Sequence, residues 1–227
     1  MMNAYIIALP EQDTKILIDS IRGTSTNVVP IVFDATTPAT LQNTTYPKWN
    51  WPITEAGYCF TSGLYKKPYP AKDPLRVEAC FVSHYRLWKI CALLDESIII
   101  LEADALFTRN LDTQQLDDSG YDVVGLNDPA GATRRSHVFH EQVSANLGFS
   151  KIPEVNNEYE ERSPQGLAGN SAYYITPYGA RKMLAMADEF GSWPNDALMC
   201  KELLNRSIGV VYPYFTKVQN IKSTTTG

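Results

Sequence analysis

The stretch IIILEADALF at residues 98–107 constrains this chain most. Four apolar residues run without alternation and are closed by Glu102 and Asp104, with Ala103 between them. A run this short cannot span a membrane. Its lack of a period of two marks a strand buried on both faces, as in a parallel sheet covered by helices. Two carboxylates just beyond such a strand stand where open α/β sheets bind their ligands, at the carboxyl ends of the strands.

The flanking sequence supplies partners for that strand. Residues 5–9 (YIIAL) form a strand candidate, residues 14–21 a polar helical stretch, and residues 28–33 a second strand ending at Asp34. This β-α-β order predicts parallel strands with a helix on one face. Asp73 and Pro74 fit the N-cap and first position of a long helix, LRVEACFVSHYRLWKICALLDE. Cys80, His84, Leu87, Cys91 and Leu94 share one stripe of it, and by spacing alone a histidine there is more often a hydrogen-bonded core residue than a ligand or base. Further strands are expected at 121–126 (YDVVGL), 171–176 (SAYYIT) and 210–215. Thr176 and Pro177 open a helix that Gly191 ends, and a short helix is expected at 197–205. The expectation is a single α/β domain over 1–227, Rossmann-like, with a mostly parallel central sheet flanked by helices.

Two stretches lack periodicity and read as long loops, 35–73 and 127–168. The first carries KWNWP (48–52) and YKKPYP (65–70), whose aromatic faces suit bases or sugars and equally suit a packing layer. The second is polar and contains His137 and His140. Cys59, Cys80, Cys91 and Cys200 stand far apart with no C-x-x-C pair, so they read as buried thiols rather than a zinc site or disulfide framework. A net charge of -5 argues against general affinity for nucleic-acid backbones, and the pairs Lys66/Lys67 and Arg134/Arg135 read as solvated surface. The start lacks a basic region and a long apolar run, so a cytoplasmic protein without a membrane span is expected.

Carboxylates at i and i+2 beyond a strand can hold one hard divalent cation, Mn²⁺ or Mg²⁺, or divide their work between a metal and a ribose hydroxyl. An acid-x-acid triplet alone is a weak signal, and position strengthens it here.

Three blocks in order carry a resemblance. VEACFVSHYRLWK (77–89) followed by IIILEADALF resembles the glycosyltransferase family 25 signature, in which a Gly-Glu-Ile-Gly-Cys-x-x-Ser-His helix precedes a strand ending Glu-Asp-Asp. Cys80, Ser83 and His84 stand at the matching positions, Glu78 lies one residue from the signature's glutamate, and Trp88 follows. GNSAYYITPYGARKML (169–184) is similar to the family's Gly-Thr-x-Gly/Ala-Tyr-x-Ile-Ser-x-x-Gly-Ala segment, and WPND (193–196) to its Pro-x-Asp. Three features depart from the pattern: Ala103 replaces the middle acid, Ala79 replaces a glycine, and the arginine after the first strand is absent, with Lys15 or Arg22 as substitutes.

The resemblance implies a GT-A type domain that moves a sugar from a nucleotide-sugar donor, a UDP-sugar foremost, to an acceptor hydroxyl with inversion and with Mn²⁺ or Mg²⁺. On it, Glu102 and Asp104 are the metal ligands, and Asp104 and Asp196 the catalytic carboxylates, Asp196 as base or, on spacing alone, as a helix N-cap. Leu9, Pro10, Asp34, Glu78, His84 and Glu102 belong to the donor pocket. The acceptor is a saccharide, a protein side chain or a modified nucleobase. Two rivals remain: a nucleotidyltransferase, for which ALPEQDT lacks a Gly-rich basic loop, and a decayed transferase that binds a nucleotide sugar without turning it over, which Ala103 keeps open.

Overall fold

The computed structural model describes residues 1–219 apart from 69–70, 133–134 and 157–161, and leaves out the Arg206 side chain. Tyr69 and Pro70 of YKKPYP, Arg134, and the tail from 220 lie outside the described residues.

In chain order the elements are β1 (Met2–Ala8), α1 (Lys15–Thr24), β2 (Val28–Asp34), β3 (Gly57–Cys59), β4 (Leu64–Lys66), α2 (Pro74–Leu94), β5 (Ile98–Glu102), β6 (Ala105–Phe107), α3 (Thr113–Asp117) and β7 (Val123–Gly125). They continue with α4 (Ser136–Ser144), β8 (Gly148–Lys151), β9 (Ala172–Ile175), α5 (Pro177–Phe190), α6 (Asn195–Leu198), α7 (Lys201–Leu204), β10 (Ile208–Tyr212) and β11 (Thr216–Val218).

Seven strands form the central sheet in the order β2-β1-β5-β9-β7-β10-β8. β2, β1 and β5 are mutually parallel, and β7 is parallel to β10. β9 runs antiparallel between β5 and β7, and β8 antiparallel on the β10 edge. Five of the seven strands therefore point one way, the mostly parallel α/β sheet expected from the sequence. The reversed β9 is what the sequence pattern could not show. It carries its N-terminal end, Asn170 and Ser171, to the carboxyl end of β5, where the Glu102 N–H donates to the Ser171 carbonyl at 2.8 Å.

The run of isoleucines is buried on both faces, as its lack of alternation demands. Ile98 and Ile100 join the core under α2 and α5. Ile99 and Leu101 join the opposite core, against Leu17 and Ile21 of α1. α2 begins as its sequence dictates: the Asp73 carboxylate accepts from the Leu75 N–H at 3.0 Å and Pro74 takes the first turn. Its stripe is buried through His84, Leu87 and Cys91, while Leu94 is half-exposed at the last turn. α5 is capped by the Thr176 hydroxyl, which accepts from the Gly179 N–H, and stops at Gly191 with φ 82°.

Both expected long loops carry structure. Residues 35–73 contain the β3–β4 hairpin and a 3-10 turn at Leu41–Asn43, and 127–168 contain α4 and the edge strand β8. Elements this short offer too few periods to stand out in sequence. The aromatics of KWNWP serve packing: Asn50 N–H donates to the Ser192 carbonyl and Ser192 N–H to the Lys48 carbonyl, which seats Trp51 against Trp193 at 5.3 Å. Lys66 corrects the expectation of a solvated pair. It is 7% exposed, its ammonium donates to the Asn50 carbonyl at 2.6 Å and lies 5.0 Å over the Trp193 ring, and burial lowers its pKa. The helix expected at 197–205 is instead the two short turns α6 and α7, and residues 205–207 form a 3-10 turn. No helix among the described residues is long and apolar enough to cross a membrane.

Candidate active site

Alternation across β5 decides where each acid goes. Ala103 is 6% exposed and packs with Leu101, Ala105 and Phe107 in the core under α1. Glu102, the last residue of β5, takes the other face, toward α2, and Asp104 follows in the turn, where its charge acts on Cys80 of α2. There His84 Nε2 lies 3.4 Å from Glu102 Oε1, outside hydrogen-bonding geometry. The middle residue of the triplet thus belongs to the apolar layer.

The turn after β5 is tied down by Gln219, the residue that follows β11. The Gln219 N–H donates to the Asp104 carbonyl at 2.7 Å, and the Gln219 amide donates to the Ala105 carbonyl at 3.0 Å. Burial, then the Glu102 charge, raises the Asp104 carboxyl from 3.8 to about 6, against the opposing Ser171 hydroxyl. Asp104 Oδ1 is buried with no hydrogen-bond partner.

Asp196 arrives from the far side. The Gly191 break and the cross-links to 48–50 swing Trp193 inward, fully buried, and α6 follows with Asp196 in its first turn. Its Oδ1 accepts from the Ala197 N–H at 2.9 Å. Pro194, not Asp196, holds the N-cap position of α6. Burial raises the Asp196 pKa, and the Glu102 charge adds to the rise. Gly166 makes this approach possible: a Cβ there would sit 1.9 Å from the Asp196 carbonyl oxygen.

Cys80 marks the centre of the cluster. Burial lifts its thiol well above the ordinary value, and the charges of Glu102, Asp196 and Asp104 add to the rise, in that order. Cys80, His84 and Glu102 each offer a donor atom within 4.8 Å of the others. His84 is fully buried, with its Nδ1 2.9 Å from the Tyr173 hydroxyl, which also accepts from Trp88 Nε1 at 2.9 Å.

The remaining expected residues divide. Strand register pairs Ile7 with Glu102 and Ala8 with Asp34, so Leu9, Pro10, Asp34 and Glu102 share one sheet edge. Glu78 departs from them. It accepts from the Tyr46 hydroxyl at 2.9 Å, about 200° around α2 from Cys80, and burial and that bond push Tyr46 to about 12. Lys15 is ion-paired with Asp19 on the surface of α1. Arg86 lies at the β2 edge, where it donates to the Asp34 carbonyl and the Thr36 hydroxyl and sits 4.5 Å over the Phe33 ring.

Sequence reasoning missed Ser171, Asn170, Tyr173, Asn195 and Arg86. Both amide atoms of Asn170 and the Asn195 Nδ2 are buried without hydrogen-bond partners, two further polar side chains beside the acids in sequence or through β9. The available signal was the polar pair Asn170–Ser171 before a strand, which points to the site only once β9 is known to run backwards.

The acids thus gather at the carboxyl edge of the parallel strands, where open α/β sheets bind their ligands. Residues 1–199 match glycosyltransferase family 25 (LPS biosynthesis protein), and the chain belongs to that family; it is a glycosyltransferase. No curated protein sequence matches the chain. Among solved structures, it is similar to A197 from STIV, with 9% identity and a TM-score of 0.45 over 98% of this chain and 87% of that one. It is also similar to mouse xyloside xylosyltransferase 1 in the apo form, with 11% identity and a TM-score of 0.35 over 90% and 67%. Both likenesses are shallow, and the family assignment rests on the sequence match.

Proposed function

We propose that this glycosyltransferase moves a sugar from a nucleotide-sugar donor, a UDP-sugar foremost, to an acceptor hydroxyl in a single inverting displacement, with Asp196 as base and Glu102 and Asp104 beneath the donor diphosphate. The observation that carries it is the convergence of three carboxylates from β5, its turn and α6 around Cys80, two of them with raised pKa values.

The donor set fits a hard divalent cation. Asp104 has a buried oxygen without a partner and a like charge beside it, a combination that a positive ion relieves. Glu102 and Asp104 would hold Mn²⁺ or Mg²⁺, which when bound supplies charge neutralisation to the leaving diphosphate. Everything else falls to the chain. Leu9, Pro10 and Asp34 border the nucleoside at the edge they share with Glu102. Asp196, its pKa raised by burial, takes the acceptor proton as the acceptor oxygen attacks the anomeric carbon and the nucleotide departs. Acceptors of three kinds suit this chemistry: a saccharide, a protein side chain or a modified nucleobase.

The test is turnover of a panel of nucleotide sugars, with and without Mn²⁺, by release of nucleotide. Metal-stimulated release from one donor supports the proposal. Intact donor binding with no turnover of any donor, with or without acceptor saccharides, would sink it.

A further inference from the structure

The side-chain cluster of Cys80, His84 and Glu102 has a donor chemistry that the proposed transfer does not use. Glu102 offers a hard oxygen, but Cys80 and His84 offer sulfur and imidazole nitrogen, which suit borderline transition metals rather than Mn²⁺ or Mg²⁺. We propose that these three residues form a binding site for one Zn²⁺ ion, which overlaps the Glu102–Asp104 pair at Glu102 alone.

Three observations support this site. Cys80 and His84 are i and i+4 on α2, so their side chains stack on one face, and Glu102 meets them from the end of β5. The three donor atoms lie within 4.8 Å of one another. Tetrahedral zinc with bonds of about 2.0–2.3 Å sets its ligands roughly 3.3–3.8 Å apart, so about an ångström of side-chain movement closes the set. His84 Nε2 is fully buried, has no hydrogen-bond partner and faces the carboxylate of Glu102.

The outer partner of the histidine is also in place. A metal-bound imidazole donates its second N–H outward, and His84 Nδ1 lies 2.9 Å from the Tyr173 oxygen, whose position Trp88 fixes by its own 2.9 Å bond. With Zn²⁺ on Nε2 the imidazole proton resides on Nδ1 and donates to Tyr173. Glu102, with 36% of its side chain exposed, opens the site to solvent and leaves a fourth position for water or substrate. Cysteine spacing could not reveal this site, because its partners are a histidine one turn on and a glutamate from another element.

A shared Glu102 makes the two metals rivals: Zn²⁺ withdraws that carboxylate from the donor side and inhibits transfer, and excess Mn²⁺ relieves the inhibition.

The test uses the whole protein, first freed of metal with chelator. One equivalent of Co²⁺ is expected to give a thiolate-to-cobalt charge-transfer band and tetrahedral d–d bands, both displaced by Zn²⁺. X-ray absorption of the zinc form is expected to show one sulfur, with nitrogen or oxygen completing the shell. C80S abolishes the charge-transfer band, whereas C59S and C200S keep it. Y173F, which removes the outer partner of His84 and with it the acceptor of Trp88 Nε1, weakens Zn²⁺ binding by about tenfold to a hundredfold. The absorption measurement needs no variant, so a C80S protein that fails to fold does not remove the test. A zinc shell without sulfur, with two sulfurs, or a charge-transfer band that survives in folded C80S overturns the proposal. If the band appears but no nucleotide sugar is turned over under any metal, the transfer reading fails and the zinc site stands.

Discussion

Asp104→Asn separates the energetic cost of the acid pair from its chemical use. Burial and the Glu102 charge raise the Asp104 carboxyl from 3.8 to about 6. At about 1.4 kcal/mol per pH unit, keeping it ionised near pH 8 costs the folded state about 2–3 kcal/mol when no cation is bound. The sign follows from proton binding: the folded protein holds this proton more tightly than the unfolded chain. The cost is therefore absent below about pH 4, grows as pH rises, and is complete above about pH 7. Asparagine keeps the shape and removes the charge, so in chelator the variant melts roughly 5–10 °C above wild type near pH 8, and the gap closes toward about pH 4. Adding Mn²⁺ then stabilises wild type, because an ion bound only by the native state raises its stability, and leaves the variant unmoved. Transfer falls in the variant by at least about a hundredfold. Melting curves from about pH 4 to pH 8, with chelator and with Mn²⁺, read both effects. A constant difference between the two proteins across that range, or a variant less stable than wild type near pH 8 in chelator, would refute the reasoning.

Three further outcomes test neighbouring parts of the site. Asp196→Asn is expected to lower kcat by about a hundredfold to ten-thousandfold with donor affinity unchanged, measured by steady-state kinetics beside equilibrium binding of the nucleotide sugar; a loss confined to donor affinity would reassign the residue. Ala103→Asp, which writes the family's middle acid back in, is expected to destabilise by several kcal/mol in chemical denaturation instead of raising turnover, because the new carboxylate enters the apolar core under α1. Gly166→Ala forces a Cβ to within 1.9 Å of the Asp196 carbonyl oxygen, and about a hundredfold loss of transfer is expected in a protein that still folds by circular dichroism.

The Ala103 position shows why the triplet was hard to weigh in sequence. As a string, Glu-Ala-Asp is a damaged Glu-Asp-Asp, and it kept a decayed transferase open. In the fold the middle residue faces the other side of the sheet, so its apolar character follows from the layer it packs in. The feature that motivated the decayed reading therefore has a packing explanation as well.

The sequence by itself determined the elements whose signals are local. The N-cap and proline of α2, the Thr176 cap and Gly191 stop of α5, and the unbroken apolar run of β5 each depend on neighbours a few residues away, and each appears as expected. Strand direction and the company of polar groups are decided elsewhere. An apolar four-residue strand such as β9 looks the same in either direction, because its side chains are buried on both faces whichever way it runs. Only pairing with β5 and β7 reverses it and delivers Ser171 to Glu102. The meeting of Cys80 and His84 with an acid from β5, and of these with Asp196 from α6, is likewise a product of tertiary packing. Contacts between elements so far apart in the chain leave no periodic trace, and that packing brings the acids, the thiol and the imidazole into one site.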